Sequence, residues 1–377
     1  MSTQRTYLDH NATSVLRPEA KAAMVAALDA YGNPSSVHTE GRGARRRVDL
    51  AREHVAALVG ARPDMVIFTS GGTEANSLAL RGSGAQRLIV SATEHPAVLD
   101  ASRGTGLPVA VVPVDGNGVL DLEALERVLK NGEGQALISV MAANNETGVL
   151  QPIQEVVVLA EAHGALVHTD AVQAAGKITV SFPLLGVDML TVSAHKLGGP
   201  QGVGALVVRD GLDLAPMLLG GGQELRRRGG TENGPGIAGF GAAAEAAQKG
   251  LVGYESNIKA LREHLQAELL ESDPRLEVFS GKADRLPNTL CFAHPEMTAE
   301  TLLIAFDLEG IAVSSGSACS SGKVEQSPVL AAMGVEAPLA SGAIRVSLGW
   351  NSNVEDVERF AHAWTKIAAR HKARKAA

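Results

Sequence analysis

Three polar groups of this chain each follow a short apolar segment, and each could act on a small ligand. Lys196 follows "MLTVSAH", Asp170 ends "LVHTD", and Gly72 and Thr73 open "GTEANSLALRG" after "MVIFTSG". A lysine amine partly withdrawn from water has a lowered pKa and becomes a nucleophile for Schiff-base chemistry. A carboxylate at the mouth of a buried strand is unfavourable unless a cation meets it. A glycine turn at a helix N-terminus offers backbone N–H groups to a phosphate.

Each group alone has an ordinary explanation: a snorkelling surface lysine, a helix-capping aspartate and a tight turn. His168 and Asp170 lie on one strand face, but no third ligand is near in the sequence, and we expect no metal site. Taken together, the amine, the carboxylate and the phosphate cradle match the aldehyde, pyridinium nitrogen and phosphate of pyridoxal 5′-phosphate. The sequence therefore predicts a site for that cofactor.

The cysteines stand in two different contexts. Cys319 lies in "VSSGSACSSGKVEQ", where small residues offer nothing to bury it, whereas Cys291 lies in the apolar "NTLCFAH". We expect Cys291 to be structural and Cys319 to be an accessible thiol, whose thiolate form is the nucleophile. One thiol cannot make a stable iron–sulfur site, so a cluster is expected to contact Cys319 at most transiently.

These groups must be positioned by the elements that carry them. Through the first two thirds of the chain, short apolar strands such as "RLIVSAT" and "ALISVMA" alternate with amphipathic helices. That alternation predicts an α/β domain with a largely parallel sheet covered on both faces, whose ligands bind at the carboxyl ends of the strands. "GVGALVV" is expected to be an edge or antiparallel strand. Near residue 250 the pattern changes to α+β, which predicts a second domain.

Composition excludes several classes of protein. The net charge is −7 over 377 residues, which argues against a nucleic-acid-binding protein. No apolar run approaches the roughly 20 residues that span a bilayer, and the N-terminus lacks the apolar region of a signal peptide. Two cysteines in unrelated contexts cannot form a disulfide framework. We therefore expect a cytoplasmic protein that does not contact membranes.

The chain resembles the class V aminotransferase group of fold-type I enzymes, and within it the cysteine desulfurases of the NifS/IscS kind. The resemblance runs in order through "YLDHNAT", "GNPSSVH", "TSGGTEANSLAL", "TEHPAVL", "NNETG", "HTDAVQ", "SAHKLGGPQGVGAL", "RRRGGTEN", "SSGSACSSG" and "IRVSLG". It implies a large domain over 14–250, with a mainly parallel seven-stranded sheet. It also implies a smaller α+β domain over 1–13 and 251–377, which carries the Cys319 loop and Arg345.

The same resemblance implies how pyridoxal phosphate would be held. Lys196 would bind the cofactor as a Schiff base and move the α-proton, and Asp170 would pair with the pyridinium nitrogen. His95 would stack on the ring and act as an acid–base group. The remaining implied contacts are to the ring's oxygen side, from Gln173 and Asn145, and to the phosphate, from Gly72, Thr73, Ser193, His195 and, across a homodimer, Thr231.

The resemblance also implies the substrate and the reaction. Arg345 would bind the carboxylate of L-cysteine bidentately, as guanidinium geometry allows, with Asn11 and Asn145 assisting. Cys319 would accept the sulfur as a persulfide, leaving alanine. A sulfur-acceptor or cluster-scaffold protein would then receive the sulfur for iron–sulfur cluster assembly or a related pathway.

Three features depart from the family pattern, one of them a slightly shorter segment between Cys319 and Arg345, and alternatives remain. The longer C-terminal tail of housekeeping members is absent from this sequence, so the sulfur acceptor stays open, and His10 replaces the usual residue before Asn11. A selenocysteine lyase or another class V aminotransferase-type enzyme is the closest alternative, and Cys319 argues against a plain aminotransferase. A non-catalytic scaffold would have no use for Lys196, Asp170 and the other groups together.

Overall fold

The computed structural model describes residues 5–316 and 326–376 of the chain. Cys319, the expected sulfur acceptor, lies outside the described residues. The helices within this part are α1 Pro18–Leu28, α2 Thr39–Leu58, α3 Gly72–Gly82, α4 Pro96–Arg103, α5 Leu122–Asn131, α6 Ile153–Ala162, α7 Phe182–Leu185, α8 Gly234–Ser272, α9 Ala299–Leu308, α10 Pro328–Ala332, α11 Ala337–Ala340 and α12 Val354–Ala376.

The strands in the same part of the chain form three sheets. They are β1 Thr6–Tyr7, β2 Val66–Thr69, β3 Arg87–Ser91, β4 Val109–Val112, β5 Ala136–Ser139, β6 Leu166–Asp170, β7 Met189–Ser193, β8 Gly204–Val208, β9 Glu277–Val278, β10 Thr289–Ala293, β11 Ile311–Ala312, β12 Ser314–Ser315 and β13 Ala343–Ser347.

The largest sheet described has seven strands in the order β2-β8-β7-β6-β5-β3-β4. Across the sheet, β7, β6, β5, β3 and β4 pair in parallel, each with the next. Strand β8 runs antiparallel to both of its neighbours, β7 and β2. The predicted α/β fold with a mainly parallel sheet is therefore confirmed. The "GVGALVV" segment is antiparallel as expected, but it is an interior strand, because β2 takes the edge beside it.

The two faces of this sheet are covered by two separate apolar cores. Along β8, Ala205 and Val207 belong to one core, whereas Leu206 and Val208 belong to the other. Successive side chains of a strand point to opposite faces, so an apolar residue at every position requires cover on both faces. Helices α1, α2 and α8 share the first core, and α3 and α4 share the second.

A second sheet of four antiparallel strands, in the order β12-β13-β10-β9, packs on a third core with α9 and α12. The N-terminal strand β1 pairs in parallel with β11 and so joins this part of the molecule. Helix α8 passes through residue 250 without a break; its first half packs in the large-sheet core and its second half in the small-sheet core. The domain boundaries at 14 and 250 stay predictions.

In the described part of the chain, no helix has both the length and the apolar character needed to cross a membrane.

Candidate active site

A cavity of about 360 Å³ lies at the carboxyl ends of β6 and β7, between the large sheet and the strand that carries Arg345. Parallel strands end at the same edge of a sheet, which is where ligands of such sheets bind. Most residues predicted for the site line this cavity. They are Asn11, Gly72, Thr73, His95, Asn145, Asp170, Gln173, Ser193, His195, Lys196 and Arg345. Thr231 is exposed and is not among the lining residues.

Asp170 is held as a buried hydrogen-bond acceptor at the last position of β6. Its Oδ2 accepts from Asn76 Nδ2 at 2.6 Å, and its Oδ1 accepts from the backbone N–H of Val172 at 2.9 Å. These two donors orient the carboxylate at the edge of the sheet. Asn76 was not predicted for the site. Its position one turn into α3, facing the sheet, is the signal in the sequence that could have found it.

The glycine turn before α3 depends on a close approach of two backbones. A Cβ at Gly204 would lie 2.6 Å from the carbonyl carbon of Gly71, and a Cβ at Gly72 would lie 3.0 Å from Val172 Cγ2. Glycine therefore lets β8 pack directly against the turn. The first N–H groups of α3 have no partner within the helix, and the helix dipole adds partial positive charge there. Ser193 lies beside Gly72, so the turn is a concave cradle for an anion.

Lys196 ends a short 3-10 helix that follows β7 directly. Its Nζ donates to the backbone oxygens of Asn11 at 2.6 Å and of Ala12 at 2.8 Å. These contacts bring the N-terminal segment across the cavity to the lysine. The neighbouring ring of His195 has a pKa lowered to about 4, by burial and then by the charges of Lys196 and Lys177. His195 is therefore neutral at ordinary pH.

His95 is the N-cap of α4, with Pro96 at the first helical position. Its Nδ1 accepts from the backbone N–H of Ala97 at 3.1 Å, which assigns the proton of the neutral ring to Nε2. Burial lowers the pKa of His95 below its ordinary value. The preceding Glu94 is buried, and burial raises its pKa, while its Oε1 accepts from the Met141 N–H.

Arg345 is 3% exposed and lies in the middle of β13. Its guanidinium donates to Asp9 Oδ1 at 2.9 Å and to the backbone oxygen of Asn145 at 3.1 Å. Its Nε is buried and has no hydrogen-bond partner among the described residues. Asp9 was not predicted for the site, and nothing in its spacing from Arg345, 336 residues away, could have shown the pair.

Asn11 connects several parts of the cavity wall. Its Nδ2 donates to the Asn145 backbone oxygen at 3.2 Å and to Thr289 Oγ1 at 2.9 Å, and its backbone oxygen accepts from Gln173 Nε2 at 2.9 Å. Behind it lies Lys177, a buried lysine that the sequence interpretation missed. Asn11 thus couples the turn after β6 and strand β10 to the N-terminal segment.

His168 is a core histidine. Its Nδ1 lies 2.8 Å from Ser139 Oγ and its Nε2 lies 3.0 Å from Thr191 Oγ1. Burial lowers the pKa of His168 to about 3, so the ring is neutral. Both ring nitrogens hydrogen-bond to hydroxyl groups of neighbouring strands, which accounts for a histidine inside the sheet without any ligand.

The chain is similar to known proteins over nearly its whole length. The Aminotransferase class-V family model matches residues 6–360. A cysteine desulfurase of Cereibacter sphaeroides is 44% identical over 368 residues, which cover 95% of this chain and 94% of that protein. A NifS-like protein from Rickettsia africae has a TM-score of 0.90 and 36% identity, over 97% of this chain and 100% of that one. SspA in complex with cysteine has a TM-score of 0.78 and 29% identity, over 91% and 98%.

Proposed function

The chain belongs to the aminotransferase class-V family, and we propose that it is a cysteine desulfurase that uses pyridoxal 5′-phosphate. The observation that carries the proposal is that Lys196, Asp170, the N-terminus of α3 and Arg345 meet at one cavity. The first three are the handles for the cofactor, and the fourth is a buried cation for the carboxylate of an amino acid.

The residues present fit the cofactor. Asp170 is an oriented, buried carboxylate suited to a pyridinium nitrogen. The cradle at Gly72, which a Cβ would crowd against Val172, suits a phosphate group. Lys196 Nζ reaches the same cavity and would hold the aldehyde carbon. Gln173 and Asn145 would contact the ring's oxygen side, and the phosphate contacts would be completed by Thr73, Ser193 and His195.

When bound, pyridoxal phosphate supplies an electron sink beside the α-carbon of an amino acid. Asp170 would keep that sink effective by holding a proton on the pyridine nitrogen. Lys196 Nζ, placed against Asn11 and Ala12, would receive the α-proton of the substrate. The ring of His95 would donate from Nε2, where its proton is assigned.

Arg345 supports an amino acid substrate with a free carboxylate. Its buried Nε has no partner among the described residues, and its other nitrogens are oriented by Asp9 and Asn145. A guanidinium binds a carboxylate bidentately, whereas an ammonium binds it as a point charge. That SspA has been solved in complex with cysteine supports cysteine as this substrate, since the two chains match over most of their lengths.

We propose Cys319, outside the described residues, as the sulfur acceptor. Its thiolate would form a bond to the substrate sulfur while the carbon–sulfur bond breaks, which gives alanine and a persulfide on the enzyme. Cysteine and one enzyme thiol become alanine and one persulfide, so no external oxidant or reductant is needed for this step. A second protein would then take the sulfur for iron–sulfur cluster assembly or a related pathway. A reducing compartment, the cytoplasm, suits this chemistry.

A homodimer is part of the proposal because Thr231 is exposed, outside the cavity of its own subunit. A second copy could bring this threonine to the phosphate cradle. Several large apolar side chains are also exposed on segments before it in the chain. They are Leu28, Tyr31, Val37, Leu219 and Leu225.

The test measures sulfide and alanine released from L-cysteine in the presence of a reductant, together with the visible absorption of bound cofactor. Wild type is expected to release both products in equal amounts. Lys196→Ala is expected to lose the visible band and the activity, and Cys319→Ala to keep the band and lose the activity. Cys291→Ala is the matched control, because Cys291 is fully buried.

Equal turnover by Cys319→Ala and wild type would reject the persulfide step. A wild-type protein that binds no pyridoxal phosphate would reject the whole proposal. L-selenocysteine in the same assay decides between a desulfurase and a selenocysteine lyase, since a lyase would turn over only the selenium substrate.

A further inference from the structure

Lys177 is a buried lysine behind the cavity wall, and the proposed function leaves it without a role. Its side chain is 3% exposed, and it follows the end of β6 by seven residues. Among the described residues, the charged groups that act on it are Lys196 and Arg345, both cations. A buried amine without a nearby carboxylate is unfavourable unless hydrogen bonds compensate it. The hydrogen bonds of Lys177 therefore indicate what this lysine does.

Those contacts are to two amide oxygens of the cavity lining. Lys177 Nζ donates to Gln173 Oε1 at 2.7 Å and to Asn11 Oδ1 at 2.7 Å. An ammonium has no acceptor, and a neutral amine bonding to two oxygens still uses both of its N–H groups. Either amide, if rotated by 180°, would place an NH₂ group against this donor. Lys177 therefore favours one orientation of each amide, and the backbone oxygens that accept from the two NH₂ groups favour the same one.

The selected orientations set the polarity of the wall. Because Gln173 Oε1 accepts from Lys177, the NH₂ group of Gln173 lies on the side away from the lysine. One of its N–H groups donates to the backbone oxygen of Asn11. The second N–H is the donor that Gln173 can present to a ligand, because Gln173 lines the cavity. The Asn11 amide is held by Lys177 together with Asn288, whose Nδ2 donates to the same Oδ1 at 3.0 Å, and Asn11 Nδ2 donates to the Asn145 backbone oxygen and to Thr289.

We propose that Lys177 is a positioning residue that holds the Gln173 amide so that an N–H, and not the oxygen, faces the phenolic oxygen of pyridoxal phosphate. The inference rests on the proposed function, because it takes pyridoxal phosphate as the ligand of the cavity. An N–H donor stabilises the anionic form of that oxygen, whereas an amide oxygen in its place would repel it. Lys177 thus acts on the cofactor through Gln173 and without touching it.

The experiment is a double-mutant cycle of Lys177→Met and Gln173→Ala, carried out on the full chain with pyridoxal phosphate. The readout is the pH midpoint at which the visible absorption of the bound cofactor changes, with the dissociation constant of pyridoxal phosphate measured beside it. Gln173→Ala is expected to raise the midpoint by about one pH unit, because the anion loses a hydrogen-bond donor. Lys177→Met is expected to raise it by about half a unit to one unit. The double variant is expected to match Gln173→Ala.

The titratable groups near Lys177 in the described part of the chain include His10, Arg17, His195, Lys196, Tyr254 and Arg345. Removing a cation close to them would act on the cofactor whether or not Gln173 is present. A midpoint shift in Lys177→Met that persists in full in the Gln173→Ala background would therefore overturn the inference. An unshifted Lys177→Met, alongside a shifted Gln173→Ala, would overturn it as well. Absence of a visible band in wild type would instead reject the proposed function.

Lys249→Met is the control, because this lysine is exposed on α8 and pairs with Glu245 one turn away. It is expected to leave the midpoint unchanged. If Lys177→Met does not fold, Lys177→Gln keeps a polar group in the buried position, but its shorter side chain does not reach both amide oxygens. The same non-additive rise is expected from Lys177→Gln, and an additive rise would again overturn the inference.

Discussion

Glu146 places a carboxyl group inside the protein at the base of the segment that carries Cys319. Its side chain is buried, and its Oε2 accepts from Ser327 Oγ at 2.5 Å. A Cβ at Gly316 would lie 2.6 Å from the same oxygen. Burial raises the pKa of Glu146 from 4.5 to about 7, with the Ser327 hydrogen bond and the Arg345 charge acting in the opposite direction.

The sign of the effect on stability follows from proton binding. Between pH 4.5 and pH 7 the folded state holds a proton on Glu146 that the unfolded chain has lost, so the free energy of unfolding falls as pH rises. The stability that protonated Glu146 contributes is present in full below pH 4.5 and is lost as pH rises to about 7. At about 1.4 kcal/mol for each unit of pKa, the raised pKa corresponds to a loss of about 3 kcal/mol.

Glu146→Gln tests this, because an amide oxygen still accepts from Ser327 and does not ionise. We expect the variant to be more stable than wild type at pH 8, and its advantage to widen by about 2–3 kcal/mol between pH 5 and pH 8. The measurement is urea unfolding of the cofactor-free protein at several pH values. Glu123→Gln is the control, since the Glu123 side chain is 90% exposed. An advantage that stays constant from pH 5 to pH 8 would refute the reasoning.

Three further outcomes are expected. Arg345→Lys should raise the KM for L-cysteine about tenfold to 100-fold and leave the visible band unchanged, because a bidentate contact becomes a point charge; an unchanged KM would contradict the assigned role. Arg52→Met should lower the free energy of unfolding by about 3–5 kcal/mol, since it leaves the buried Glu224 carboxylate without its cation. Adding Glu224→Gln to that variant should recover part of the loss, because the buried charge is then removed. Gly204→Ala should cost about 1–3 kcal/mol and weaken cofactor retention in a reconstitution assay, because its Cβ meets the Gly71 backbone; normal retention would reject the close packing.

Much of the seven-stranded sheet could be predicted from short apolar segments. The strands "MVIFTS", "ALISVMA" and "DMLTVSAH" form β2, β5 and β7, because runs of apolar residues need cover on both faces. The sequence did not place β8 inside the sheet. Strand order depends on how segments pair across space, and the apolar pattern of an edge strand and an interior strand is similar here.

The residues of the candidate site could likewise be predicted only in part. Asp170 ends β6 and Lys196 lies three residues after β7, so their place at the sheet edge could be predicted. Asp9, Asn76 and Lys177 reach the site from an N-terminal loop, a helix and the turn after β6. Their contacts join residues from different elements, and no local pattern marks Asp9 or Lys177, whereas the position of Asn76 one turn into α3 is a local signal. Thr231 and Cys319 stay predictions for separate reasons, one needing a second subunit and the other lying outside the described residues.

By itself the sequence determined which chemical groups the protein has and which strand ends carry them, because strand and helix periods are local properties of the chain. Only the tertiary structure decided how these groups are oriented. The carboxylate of Asp9 orients the guanidinium of Arg345, and the N–H of Ala97 bonds to Nδ1 of His95, which leaves the proton on Nε2. Lys177 favours one amide orientation of Gln173. The physical reason is that a hydrogen bond has a donor and an acceptor in fixed geometry, and its partner here comes from whichever element packs alongside.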